Sequence, residues 1–374
     1  MNKTMSIYLD LMRFLAAFIV FIAHANHDRF TGGLPVLWRF SNLGSDAVIA
    51  FFVLSGFVIA HVANGKEKTP DDFFISRFAR LYSVVLPALI LTIILDAIGS
   101  QFAHHELFES WGYTAEDPVA RTLANLFFVN QLWFLDVRAF SNLPFWSIGY
   151  EFWYYVLFAV SFYFQGLSRN LWLILISALV GPKILLLLPV WWMGVLVYKI
   201  TSEKLVSEWF GWFAFSTSLV LFCLYKASGG GEYISEYTQK FLGVELFNSL
   251  TWSRDFLSFY VVGFLVSLSF VGFEAVSHRF AIVLAFLSEP IRYLASYTFA
   301  LYLFHYPLLQ FFAALTYEES VQKTEPMLVV FGTIVSIWLL GGVSEKQKRR
   351  YRKVITSLFE RVRARRAGTD SASN

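Results

Sequence analysis

Apolar segments of about 17 to 25 residues recur along this 374-residue chain. That length spans roughly 30 Å of hydrocarbon for a helix rising about 1.5 Å per residue. Ten are placed, at approximately 7–26, 44–63, 79–99, 144–164, 170–186, 187–200, 209–226, 254–273, 293–314 and 327–343. Between the fifth and sixth, "LLLLPVWWMGVLVY" allows a boundary at Pro182, a boundary at Pro189, or one broken helix. The fold class expected is therefore an all-α integral membrane protein with about ten transmembrane helices. Residues 1–343 form its membrane domain and 344–374 a basic cytoplasmic tail, unstructured from about 366 onward.

Composition agrees: 57% hydrophobic against 15% charged residues, with a mean hydropathy of +0.55, is a balance suited to a bilayer. Loop charges test the count. With the N-terminus inside, inner segments carry Lys66, Lys68, Arg77, Arg80, Arg169, Lys199, Lys204, Arg279 and Arg292, and outer loops carry Glu106, Glu109, Glu116, Asp117, Glu232, Glu236, Glu245, Glu318, Glu319 and Glu325. This positive-inside pattern requires an even number of crossings and places both termini in the cytoplasm. From Glu345 onward, ten Lys/Arg stand against three acidic residues, suiting anionic inner-leaflet lipid rather than nucleic acid. The first apolar stretch is too long for a cleavable signal peptide and lacks a small-residue cleavage site. The lone Cys223 excludes an internal disulfide and a CxxC site, and the histidines lack metal-ligand spacing. The 99–144 connector contains "TLANLFFVNQLWFL", apolar but short, and reads as an interfacial or re-entrant segment.

Ionisable residues inside apolar spans mark candidate sites. In "RFLAAFIVFIAH" Arg13 and His24 lie eleven residues apart, about three turns plus 20°, so they share one helix face roughly 16 Å apart along the axis. Arg13 falls in the inner half and His24 near the outer edge; snorkelling and an interfacial position are the structural alternatives. Arg77 and Arg80 in "SRFARLY" share a face at an inner mouth. Two guanidinium forks there suit phosphate, and topogenic charge is the plainer explanation. Glu151 in "WSIGYEFWYY" is at the depth of His24, as a carboxylate that orients the imidazole, binds a substrate hydroxyl or pairs with a buried arginine. Asp28 is a weaker candidate for the orienting role. His305 in "YLFHYP" fits helix packing as well as function, and Ser55 and Gly56 in "FFVLSGF" fit close helix approach.

These motifs together resemble membrane acyltransferase family 3, which includes O-antigen and other glycan O-acetyltransferases. The likeness rests on Arg13, ten residues and His24; on "FFVLSGFVIA"; on the Arg-x-x-Arg of "RFARLY"; on "WSIGYEFWYY"; and on "SYTFALYLFHYPLL", in matching order from about Tyr8 to Pro307. One departure is that many members have an acidic residue just before the paired Phe of the second span, where this chain has Ile49 and Ala50, with Asp46 slightly upstream. The SGNH-type domain fused in some members is not expected.

The resemblance implies transfer of an acyl group, usually acetyl, from cytoplasmic acyl-CoA to a hydroxyl of a carbohydrate or lipid-linked glycan beyond a bacterial inner membrane. A separate extracytoplasmic enzyme is an alternative recipient. Acyl-CoA is a co-substrate, and no tightly bound cofactor, metal or nucleic acid is expected. On this reading His24 is the general base and Glu151 its orienting partner. Arg13, Arg77, Arg80, Ser55, Tyr302 and His305 contact substrate, and Arg13 alternatively pairs with Asp10. A covalent acyl-His24 route stays open. The rival classes are a secondary transporter, against which no inverted repeat is found, and an acylase of a small molecule or lipid.

Overall fold

A computed structural model describes residues 1–34, 38–103, 107–109, 116–318 and 324–372. Glu106, Glu319 and part of the 99–144 connector lie outside them. Among the described residues the regular structure is helical, apart from isolated bridge pairing such as Ala139 with Asn142. Ten helices organise the chain: α1 (Lys3–Ala25), α2 (Gly44–Gly65), α3 (Pro70–Gly99), α4 (Trp146–Tyr163), α5 (Gly166–Val180), α6 (Pro182–Ser202), α7 (Glu208–Ala227), α8 (Phe256–Val276), α9 (Thr298–Thr316) and α10 (Pro326–Ala372).

Seven described helical stretches are long and apolar enough to cross a membrane: α1, α2, α3, α6, α7, α9, and Phe256–Phe286, which contains α8. The chain is a multi-pass membrane protein. The three other expected spans form helices that differ from those seven. α5 has 15 residues, the apolar start of α10 is Pro326–Gly342, and the four tyrosines of α4 and Glu151 dilute its apolar character.

Local chemistry explains the boundaries. Asn2 caps α1 by accepting from the Met5 amide. The third helix begins nine residues before the expected span, because Thr69 caps it through the Asp72 amide and Pro70 occupies its first turn, where a missing N–H costs nothing. The α5–α6 boundary falls at Gly181–Pro182, while Pro189 sits inside α6. Gly181 has φ of 78°, and a Cβ there would lie 2.6 Å from Trp133 Cα, so both the conformation and the space require glycine. Trp133 in turn clamps the end of α5, donating its backbone N–H to Val180 O at 2.9 Å and its Nε1–H to Ala178 O at 3.0 Å. The connector segment expected at an interface thus folds against the bundle, with Asn125, Asn130 and Gln131 buried.

Two glycine seams draw helices together. Cβ atoms at Gly56 and Gly194 would fall 2.0 Å from Trp191 O and 1.9 Å from Val53 O, so α2 and α6 touch backbone to backbone. Gly211 and Gly272 play the same part between α7 and α8. α9 is the most enclosed of the seven candidate spans and packs on α1, α3 and α10.

Candidate functional site

Pro307 shapes the site before any ionisable group does. Lacking an N–H, it cannot bond the carbonyl of Leu303 four residues earlier. That carbonyl is instead taken by Asn142 Nδ2 at 2.8 Å, from the turn that precedes α4. Two residues before the proline, the fully buried His305 bonds the Leu301 carbonyl through Nδ1 at 2.8 Å. A carbonyl only accepts, so His305 Nδ1 carries the proton, and in the neutral ring Nε2 is left as an acceptor. His24 Nδ1 lies 2.9 Å from that Nε2. His24 therefore donates from Nδ1, and a neutral His24 has an unprotonated Nε2. The rings stack, with centroids 5.1 Å apart and an interplanar angle of 18°.

The sequence expectation that Glu151 orients His24 is corrected here: the partner of His24 is His305. Glu151 Oε1 accepts from Ser55 Oγ at 2.9 Å and from the Tyr155 hydroxyl. Ser55 thus binds a carboxylate, while its neighbour Gly56 makes the close helix approach. Tyr155 went unnoticed in the sequence, although its position four residues after Glu151 places it on the same face of α4.

Glu151, Ser55, Arg13, Arg80, Ser147 and Tyr302 line a cavity of about 200 Å³ between α1, α2, α3, α4 and α9. Arg13 lines this cavity, and it also pairs with Asp10 at 3.5 Å. Tyr302 hydrogen-bonds Ser147 at 2.7 Å. Its ring centroid is 6.4 Å from that of His305, so Tyr302 stands between the cavity and the histidine pair. His24 and His305 are not among the lining residues.

The two arginines expected to act as one fork are separated in role. Arg80 lines the cavity. Arg77 is buried and bonded to Glu67 at 2.6 Å, over the rings of Phe73 and Tyr155. A buried cation paired this closely is a structural tie near the start of α3, because removing either partner strands the other charge. Asp46 likewise has a structural partner, Lys226 of α7, at 2.8 Å.

Comparisons with known proteins accord with this arrangement. A family described as an acyltransferase domain matches residues 6–343. The O-acetyl transferase of Shigella phage Sf6 is 29% identical over 159 residues, covering 41% of this chain and 44% of that protein. Acyltransferase MdmB of Streptomyces mycarofaciens is 32% identical over 152 residues, or 39% of this chain and 36% of that one. Protein 2 in the picA locus of Rhizobium radiobacter is 44% identical over 90 residues, 23% of this chain and 42% of its own length. The matched stretches thus span less than half of each relative. No solved structure matches. With five motifs in order, an all-helical membrane bundle and a family match over nearly the whole chain, this protein belongs to acyltransferase family 3.

Proposed function

We propose that this protein is an O-acyltransferase of the bacterial inner membrane that moves an acyl group, acetyl by default, from cytoplasmic acyl-CoA to a hydroxyl of a carbohydrate acceptor. The observation that carries the reading is the fixed tautomer of His24, with its unprotonated Nε2, beside a cavity containing Arg13 and Arg80. The topology proposed with it has ten spans and both termini in the cytoplasm, from the sign of the loop charges.

In the direct route, His24 Nε2 takes the acceptor hydroxyl's proton as its oxygen attacks the thioester carbonyl. The C–S bond breaks, and the imidazolium returns the proton to the departing CoA sulfur. His305 is a positioning residue: its Nε2 accepts from His24 Nδ1 throughout, so proton traffic is confined to the other nitrogen. A cavity of about 200 Å³ is small beside the roughly 300–1,000 Å³ of ordinary ligand pockets. It suits the thin pantetheine end of the donor rather than its nucleotide. Arg13 and Arg80 are the proposed contacts for the pyrophosphate at which the pantetheine arm joins the nucleotide, and the Ser55–Glu151–Tyr155 cluster holds the cavity wall.

The test is free-CoA release by the protein in vesicles given acetyl-CoA and mixed saccharide acceptors. Arg80→Ala is expected to raise the donor concentration needed for half-maximal release about tenfold or more, the scale of a lost charge-assisted contact. Silence across acyl-CoAs and acceptors in a folded protein would sink the proposal. His305 has its own test. His305→Leu, which deletes the acceptor for His24 Nδ1–H, is expected to lower turnover about tenfold or more with donor affinity retained. His305→Gln, which supplies another acceptor, should restore part of it. Equal turnover in wild type and His305→Leu would remove the positioning role.

A further inference from the structure

One hydroxyl on the wall of the donor cavity is unused. Thr298, the first residue of α9, lines that cavity and is 4% exposed, and its Oγ1 has no hydrogen-bond partner among the described residues. The other hydroxyl and carboxyl groups of the wall are engaged. Ser55 and Tyr155 donate to Glu151, and Ser147 is bonded to Tyr302. Ser83 Oγ donates to Arg80 O at 2.9 Å and Ser296 Oγ to Tyr293 O at 2.6 Å, each closing back on its own helix. Thr298 makes no such bond, although a threonine hydroxyl can reach the carbonyl three or four residues earlier. A buried hydroxyl that has given up water without gaining a partner is uncommon, and one on a cavity wall is completed by what enters the cavity.

Depth relative to the histidine pair says which group that is. α1 packs both on α9 and on the short helix Ser288–Ser296 that precedes it, so α1 and α9 run the same way and meet at His24 and His305. Thr298 precedes His305 by seven residues and Arg13 precedes His24 by eleven, or about 10 and 16 Å along the helices. In the pantetheine arm of CoA the farther of the two amide carbonyls comes about eight bonds from the sulfur and the first phosphorus about thirteen, roughly 10 and 16 Å in an extended chain that advances about 3.6 Å per three bonds. With the sulfur at the histidine pair, the phosphorus falls at the level of Arg13 and the farther amide at the level of Thr298.

Resting on the acyl-CoA reading above, we infer that Thr298 hydrogen-bonds the farther amide of the pantetheine arm. The protein then selects donors that carry the whole arm over short thioesters, independently of the arginines proposed for the pyrophosphate.

The experiment measures thiol release by the full-length protein in vesicles, with saccharide acceptors, from acetyl-CoA, S-acetylpantetheine and S,N-diacetylcysteamine. The second donor keeps both amides without phosphate, and the third keeps only the nearer amide. Thr298→Val is expected to lower kcat/KM for the first two about threefold to tenfold, the scale of one neutral hydrogen bond, and to leave the third within about twofold. Thr298→Ser should retain most of the wild-type value. The thermal unfolding midpoint of Thr298→Val should not fall, because the hydroxyl has no protein partner to lose. An equal loss across all three donors, no loss with any of them, a loss confined to acetyl-CoA, or a lower unfolding midpoint each overturns the inference. Where the shorter donors turn over too slowly, the same ratios are read from inhibition of acetyl-CoA turnover by pantetheine and by N-acetylcysteamine. Absence of thiol release from every donor in the wild-type protein fails the acyl-CoA reading itself, and the inference with it.

Discussion

His24→Ala is expected to lower acetyl-CoA-dependent release of free CoA at least 100-fold while leaving CoA affinity within about threefold. The size follows from the work assigned to the side chain, since a positioned general base contributes about 10²–10⁴ in rate. The sparing of CoA affinity follows from the geometry: His24 is not among the residues lining the cavity proposed for the donor. Vesicle assays with thiol detection and a parallel CoA titration read both quantities. Substantial turnover in the variant would remove His24 from the chemistry. A trapped acyl group on the wild-type imidazole would instead favour the two-step route, in which the same Nε2 acts as nucleophile.

The largest effect on folding is expected at a residue with no side chain. A Cβ on Gly194 would sit 1.9 Å from Val53 O, and one on Gly56 2.0 Å from Trp191 O. Neither clash is relieved by a rotamer change, because a Cβ cannot rotate away and the obstacle is backbone. Gly194→Leu should therefore fail to give monodisperse protein in size-exclusion chromatography. Gly194→Ala should lower the thermal unfolding midpoint by several degrees or more, in line with the roughly 1–3 kcal/mol or greater cost of overpacking. Gly65 is the control, as a Cβ there meets nothing within 4 Å, and Gly65→Ala should behave as wild type. If Gly194→Leu folds normally, the α2–α6 contact is not as close as described.

What could be read in the sequence was mostly what periodicity and solvent dictate. The expected segments fall in helical regions, though 170–186 crosses the break at Gly181–Pro182 and 293–314 crosses Tyr297, between Ser288–Ser296 and α9; α1 runs unbroken from Lys3 to Ala25, so Arg13 and His24 keep their helical spacing. Individual partners were less legible. His305 is 281 positions from His24, and no local pattern announces a contact across that distance. Depth alone pairs Glu151 with His24, a coordinate that leaves rotation about the bundle axis undetermined; α2 and α4 turn it toward Ser55 and Tyr155 instead. The Arg77–Glu67 tie has no local signature, because Glu67 lies ten residues away in the loop between α2 and α3. Tyr155 was within reach of sequence reasoning, being one turn from Glu151 in the same motif.

The rung missing from α9 has a further meaning for how this protein can be divided. Because Asn142 supplies the hydrogen bond that Pro307 cannot, the helix bearing His305 is completed by a side chain from a connecting turn. Asn142 also reaches Thr92 of α3 at 3.1 Å, so one amide joins three parts of the chain. A construction kit of helices alone would reproduce the bundle and still leave the Leu303 carbonyl bare in its interior. The smallest transplantable version of this reaction centre therefore includes the turn before α4, and a designer who treated that turn as replaceable linker would be editing the centre itself.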